Sequence, residues 1–368
     1  MTHVTSPLLA RTGAVEGSGP DGGVALHYGN PAKEQRELER GRAVVDLSQL
    51  GVVTIGGVDR KSWLHTLSTQ HTETIADGES TEMLLLDPQG RIQHAAGVVE
   101  ADEQLWLITE GGKTADLVTF LESMKFMLRV EITDRSAEFA VLGTMSGGDA
   151  ALAALPHHRL TWRDPWPATA AGGTRYAVAD DEHPGHGVVR CLTLVPRPEL
   201  AAAVDASGLA LAGTWAWEAA RVAAWRPRLG REVDDRTTPH EVDWLRTAVH
   251  LNKGCYRGQE TVAKIVNLGR PPRRLVMLHL DGSEHFVPEP GARVMNEERD
   301  VGHVTSVVRH EQDGPLALAL IRRNTPPDAV LRVDDIPAAQ EIVVPVEGAS
   351  SARPAQRPGA ELRGRRRP

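Results

Sequence analysis

Beyond Pro271-Pro272 the chain breaks into short apolar runs, at residues 275–280, 292–295, 301–308, 316–321, 329–333 and 342–346, separated by Gly, Pro and Asp. Runs of that length bounded by turn residues read as strands, and their even spacing suits a small closed barrel. The C-terminal part of the fold is therefore expected to be all-β, a barrel over residues 269–346.

The first half has a different texture. Residues 52–55 are β-branched and strand-like, Gly56-Gly57 breaks them, and Asp59 is placed to N-cap a helix carrying Trp63, Leu64 and Leu67. Met83-Leu84-Leu85-Leu86 is a short strand, Asp87-Pro88-Gln89-Gly90 a turn, and a return strand follows from Ile92 to Val99. Leu117, Phe120, Leu121 and Met124 share one helical face. Strand–helix–strands–helix–strands suggests a split βαβ unit, with helices on one face of a mainly antiparallel sheet, over residues 27–145.

Past Gly147-Gly148 a second α+β unit is expected over 146–268. It contains a short helix capped by Asp149, a Pro-rich connection at 162–167, strands near 175–178 and 188–195, and helices at 198–204 and 214–225. A further helix begins at 239–245. Residues 1–26 read as a loose arm, and residues 347–368, ending in a run of arginines, as a disordered basic tail.

Composition excludes several function classes. At 368 residues the chain suits two or three domains, and 41% hydrophobic with 24% charged residues is ordinary for a globular protein. The net charge of −8 argues against broad nucleic-acid binding. Only Cys191 and Cys255 occur, so neither a disulfide framework nor a four-thiolate cluster site is available. No signal-like or membrane-spanning run is present, and a cytoplasmic protein is expected. His157-His158, and His183 and His186 with Cys191, lack the paired spacing of structural zinc, so no metal is expected. P-loop, dinucleotide-binding and Gly-x-Ser-x-Gly motifs are absent.

What remains is Lys253-Gly254-Cys255-Tyr256-Arg257-Gly258-Gln259-Glu260. Gly254 and Gly258 permit a shaped turn, Gln259 and Glu260 can hold it by hydrogen bonds, and Lys253 and Arg257 flank a thiol whose thiolate they would favour. The chain has only six lysines against thirty-five arginines, which makes Lys253 beside the thiol conspicuous. Cys255 and Lys253 are the candidate reactive pair; a buried, structural Cys255 is the alternative.

The octapeptide resembles the signature of the YgfZ-type folate-binding proteins, relatives of the glycine-cleavage T-protein (aminomethyltransferase). Residues 45–51 resemble that family's N-terminal Asp-Leu-Ser segment, residues 86–91 its first hairpin, and Gly302-His303-Val304-Thr305-Ser306 its barrel strand. The resemblance covers roughly residues 27–345. It implies three lobes around a central tetrahydrofolate pocket, with Gly254, Tyr256, Arg257, Gly258, Gln259 and Glu260 as motif or pocket residues. It also implies support of iron–sulfur enzymes, including some that modify tRNA. T-proteins carry paired aspartates after the first hairpin, where alignment on Gly90 puts His94 and Ala95. They carry Glu-Ala-Gly where alignment on Pro227 puts Ala223-Ala224-Trp225. Tetrahydrofolate-dependent aminomethyl transfer is therefore the second reading, not the first.

Overall fold

The computed structural model describes residues 5–283 and 287–353. Three β-systems organise it: two five-stranded sheets and a closed six-stranded barrel. The first sheet runs Ser80–Leu86, Ile92–Ala101, Gln104–Thr109, Gly51–Gly56, Glu131–Asp134, with every neighbouring pair antiparallel. One face takes the helices Arg60–Leu67 and Thr114–Ser123, whose Trp63, Leu64, Leu117 and Leu121 pack on Val53, Ile55, Met83 and Leu85. The other face, through Val52, Val99, Trp106 and Ile108, packs on the second sheet. Alternate residues of one strand thus serve two cores, as the period-two pleat requires. Asp59 holds the N-cap position of the helix Arg60–Leu67, but its side chain makes no capping hydrogen bond. Its carboxylate instead takes the backbone N–H and guanidinium of Arg129.

The second sheet runs Leu160–Arg163, Arg190–Pro196, Phe139–Met145, Ala43–Asp46, Ala210–Ala212. Its strands come from both sides of residue 146, and only the last pair is parallel. The expected strand at 175–178 is irregular chain, and the expected Pro-rich connection begins with a strand, Leu160–Arg163. Leu160 and Trp162 face the core there, a two-residue alternation too short to stand out beside three prolines. Asp149 lies inside its helix rather than capping it, and pairs with Arg163 at 2.6 Å.

The barrel closes in the order Arg273–Leu280, Gly314–Arg322, Arg299–His310, Arg293–Asn296, Leu331–Val333, Ile336–Ile342. Val276, Leu278, Ala317 and Ala319 fill its interior, while Leu275, Met277, Leu316 and Leu318 face outward into the core shared with the helices Thr214–Ala223 and Gln259–Asn267. The last strand ends at Ile342, where the sequence pattern starts it. Ile336 and Ala338 alternate with exposed residues, and Pro337 disguises the run. Val343 and Val344, read as strand, are instead buried in the core outside the barrel.

Both expected loose ends are packed where they are described. Asp21 of the N-terminal arm is buried against Arg228 at 2.8 Å, and Leu8 enters a core. At the other end, Ser351 donates its N–H to the Arg175 carbonyl at 2.9 Å. Residues 354–368, with the arginine run of the expected tail, lie outside the described residues, as do residues 1–4. Among the described residues no helix is long and apolar enough to cross a membrane.

Candidate functional site

The octapeptide forms an exposed turn that ends as the N-terminus of the helix Gln259–Asn267, an element its glycines hid. Gly258 is the helix N-cap at φ +84°, and a Cβ there would lie 2.6 Å from the Asp87 carbonyl and 3.1 Å from Gly90 Cα. Gly90 is itself at φ +77°, and a Cβ on it would meet Thr261 at 3.1 Å. The octapeptide and the first hairpin turn therefore touch backbone to backbone, through two glycines that both the torsion and the space demand. Gly254 differs. Its φ is not positive, and a Cβ there would find only His65 Nε2 at 3.9 Å.

Lys253 is buried, and its ammonium donates to the carbonyls of His65 and Ser68, the latter at 2.5 Å. Those carbonyls close the helix Arg60–Leu67, so Lys253 caps that helix in place of a C-terminal glycine and complements its dipole. The same ammonium lies 5.1 Å from the centre of the buried Tyr256 ring. Burial lowers the Lys253 pKa to about 8. Two of its three N–H donors go to the helix end, which docks the octapeptide on that helix. Cys255 is exposed and free. Arg257 and Glu260 are exposed; the Gln259 side chain makes a long contact, 3.5 Å, to the Lys253 carbonyl, and its backbone N–H donates to the Tyr256 carbonyl at 3.2 Å.

A cleft lies elsewhere, between the two sheets. Its walls are Trp162, Trp217 and Trp244 with Leu47, Ala95, Gly97, Ile108 and Leu192, around a cavity of about 130 Å³. None of the eight motif residues lines it. Trp162 lies flat on Gly97, where a Cβ would come within 2.6 Å of the indole, and its N–H donates to the Thr81 carbonyl at 2.6 Å. Trp244 donates to Glu82 at 3.1 Å, which fixes a second ring.

Charge in the cleft is dense and almost entirely paired. Glu82 accepts from Arg226 at 2.6 Å and from Thr247, and Arg226 also holds Asp164 at 3.1 Å between the Trp166 and Trp244 rings. Arg228 clamps Asp21, Glu110 and Glu218 at 2.8, 2.7 and 3.2 Å. Arg221 binds Glu218 and Glu232, each at 2.9 Å. Glu232 in turn accepts from Thr305 and Ser306 at 2.9 and 2.6 Å, so the barrel-strand motif holds the cleft's ion-pair network in place. The one cation left over is Arg190. It is 5% exposed and stacks 4.1 Å over the Trp217 ring, and its guanidinium has no hydrogen bond or ion pair among the described residues. Burial pushes its pKa down to about 9.

Sequence reading missed these carboxylates and arginines, because ion-pairing partners come from strands and loops far apart in the chain. His94 and Ala95 lie on the strand Ile92–Ala101. Only Ala95 reaches the cleft; His94 is buried against Phe120, at 5.7 Å between ring centres.

Comparison with known proteins gives this geometry a context. Residues 25–154 match the family model of the GCVT N-terminal domain. The chain superposes on the crystal structure of the glycine cleavage system aminomethyltransferase T from Bartonella henselae with a TM-score of 0.74, over 92% of this chain and 96% of that one, at 16% identity. The fold is that of the glycine-cleavage T-protein. In sequence the chain is 27% identical over 301 residues to a chloroplastic Arabidopsis thaliana protein provisionally named a transferase. That match takes in 77% of this chain and 66% of the relative, just under two thirds of its length. It is 24% identical over 312 residues to an aminomethyltransferase of Streptomyces coelicolor, covering 80% of this chain and 82% of that protein.

Proposed function

We propose that the chain binds a reduced folate in the cleft between the two sheets, and supports iron–sulfur enzymes, tRNA-modifying ones among them, through the exposed Cys255 thiol. The observation that carries the ligand half is Arg190. A buried guanidinium without a partner, stacked on Trp217 in a tryptophan-lined cleft, suits a flat ligand that brings its own anionic or carbonyl oxygen. The cavity is smaller than the ~300–1,000 Å³ of most small-molecule sites, so it would enclose the ring system and leave the tail outside. The folate assignment draws on the resemblance of the octapeptide and on the T-protein fold.

The thiol half draws on exposure. One thiolate does not hold a cluster, so Cys255 would act transiently, on a client's cluster or through a mixed disulfide. The test is complementation of a deletion strain, scored by iron–sulfur enzyme activity. Cys255→Ser is expected to fail while melting like the wild type; full complementation would leave the thiol without a role.

Aminomethyl transfer is the second reading, suggested by the names of several relatives. Each of the five carboxylates lining the cleft, Asp21, Glu82, Glu110, Asp164 and Glu218, faces an arginine. None is left as a free base, which weighs against it. Ammonia release from an aminomethylated carrier protein, dependent on tetrahydrofolate, would reinstate it.

A further inference from the structure

Three histidines gather beside the octapeptide. His65 sits in the last turn of the helix Arg60–Leu67, His71 in the loop that follows, and His250 three residues before Lys253. The His65 and His71 ring centres are 4.6 Å apart, and those of His71 and His250 are 5.4 Å apart. One ligand atom each from His65, His71 and Glu73 lie within 4.8 Å of one another. We propose that His65, His71 and Glu73 bind a divalent first-row transition-metal ion at the rim of the octapeptide turn, with Gly254-Cys255 beside its open positions. This does not rest on the folate reading.

Two imidazoles and one carboxylate are a donor set that zinc and iron(II) both take, and it leaves coordination positions vacant for an exchangeable ligand. The ring nitrogens are available. Thr74 Oγ1 lies 3.3 Å from His71 Nδ1, which leaves Nε2 for the metal and supplies the outer hydrogen bond that orients a ligating imidazole. His65 Nδ1 and His250 Nδ1 are buried without a hydrogen-bond partner among the described residues. Glu73 is exposed, so its carboxylate is free to close onto the two rings and to offset the Lys253 charge on the incoming cation. Gly254 lies against His65 Nε2, and no side chain stands between that nitrogen and the turn that bears the exposed thiol.

The experiment uses the full chain, freed of any purification tag and stripped with EDTA. It is titrated with Co²⁺ as an optical probe and with Zn²⁺ by competition calorimetry. One equivalent is expected to bind, with ligand-field bands for Co²⁺. His71→Ala and Glu73→Gln lie at half-buried and exposed positions that the fold does not need. Each is expected to weaken binding by about tenfold or more with an unchanged melting curve. His157→Ala, at an exposed position just before the strand Leu160–Arg163, is expected to bind like the wild type. Absence of stoichiometric binding overturns the proposal. So does unchanged affinity in His71→Ala and Glu73→Gln, or loss of affinity in His157→Ala instead.

Discussion

Replacing Gly258 by alanine tests whether the octapeptide is shaped by its contact with the first hairpin. At φ +84° an L-residue pays about 1–2 kcal/mol for the left-handed conformation alone. The added Cβ would also sit 2.6 Å from the Asp87 carbonyl and 3.1 Å from Gly90 Cα, backbone atoms that cannot rotate away. Torsion and forced separation together should cost about 2–4 kcal/mol, in the range of an overpacked core. Gly254→Ala is the internal control: its φ is not positive, its Cβ has room, and the change should stay within about 0.5 kcal/mol. Urea unfolding followed by tryptophan fluorescence reads both. Gly90→Ala disturbs the same junction, so its cost and that of Gly258→Ala should not add in the double variant. Equal costs for Gly254→Ala and Gly258→Ala, or additive costs for Gly90→Ala and Gly258→Ala, would refute the reasoning.

Other changes follow from the same geometry. Cys255→Ser should leave the melting temperature unchanged, since the residue is exposed and serine nearly keeps its size; differential scanning calorimetry checks it. Lys253→Met removes the donor shared by the His65 and Ser68 carbonyls and should cost about 1–3 kcal/mol in urea unfolding, with cysteine reactivity toward a thiol reagent rising as the turn loosens. Burial lowers the His183 pKa to about 3 and that of His240 to about 4, so both rings stay neutral in the fold while the unfolded chain protonates them near pH 6.5. Their contribution is complete above pH 6.5 and is lost as pH falls toward 4, by about 1.4 kcal/mol per pH unit for each residue. His240→Gln should flatten the fall in unfolding free energy between pH 6.5 and 5, and an unchanged slope would remove the assignment.

The parts of this fold that were legible in the sequence are those written locally. The hairpin at Asp87–Gly90 carries its own turn chemistry: Asp87 Oδ1 accepts the Gln89 and Arg91 N–H groups at 2.9 and 2.8 Å. Helix faces such as Leu117 and Leu121 declare their period, and most barrel strands sit between their turn residues. Short strands that lean on distant partners did not declare themselves. Leu160–Arg163 and Ala43–Asp46 are strands because of what lies beside them in the sheet. The octapeptide was visible as a site, but its residues do not line the cleft. Lys253, read beside the thiol, also caps a helix that ends 185 residues earlier, a role that no local pattern shows. The cleft's ion pairs and the histidine cluster share that obscurity, because His65, His71 and His250 meet only once the chain is folded.

The central claim is that the tryptophan-lined cleft holds a reduced folate with Arg190 as its unpaired cation. Calorimetric titration of tetrahydrofolate into the wild type and into Arg190→Met tests it most directly. Methionine keeps the unbranched stem and removes the guanidinium, with its charge, its donors and its stacking on Trp217. Saturable binding by the wild type is predicted, weakened about tenfold or more in Arg190→Met, as expected for a lost charge-assisted hydrogen bond of about 1.5–3 kcal/mol. No saturable binding of any reduced folate to the wild type, or equal affinity in Arg190→Met, would contradict the account.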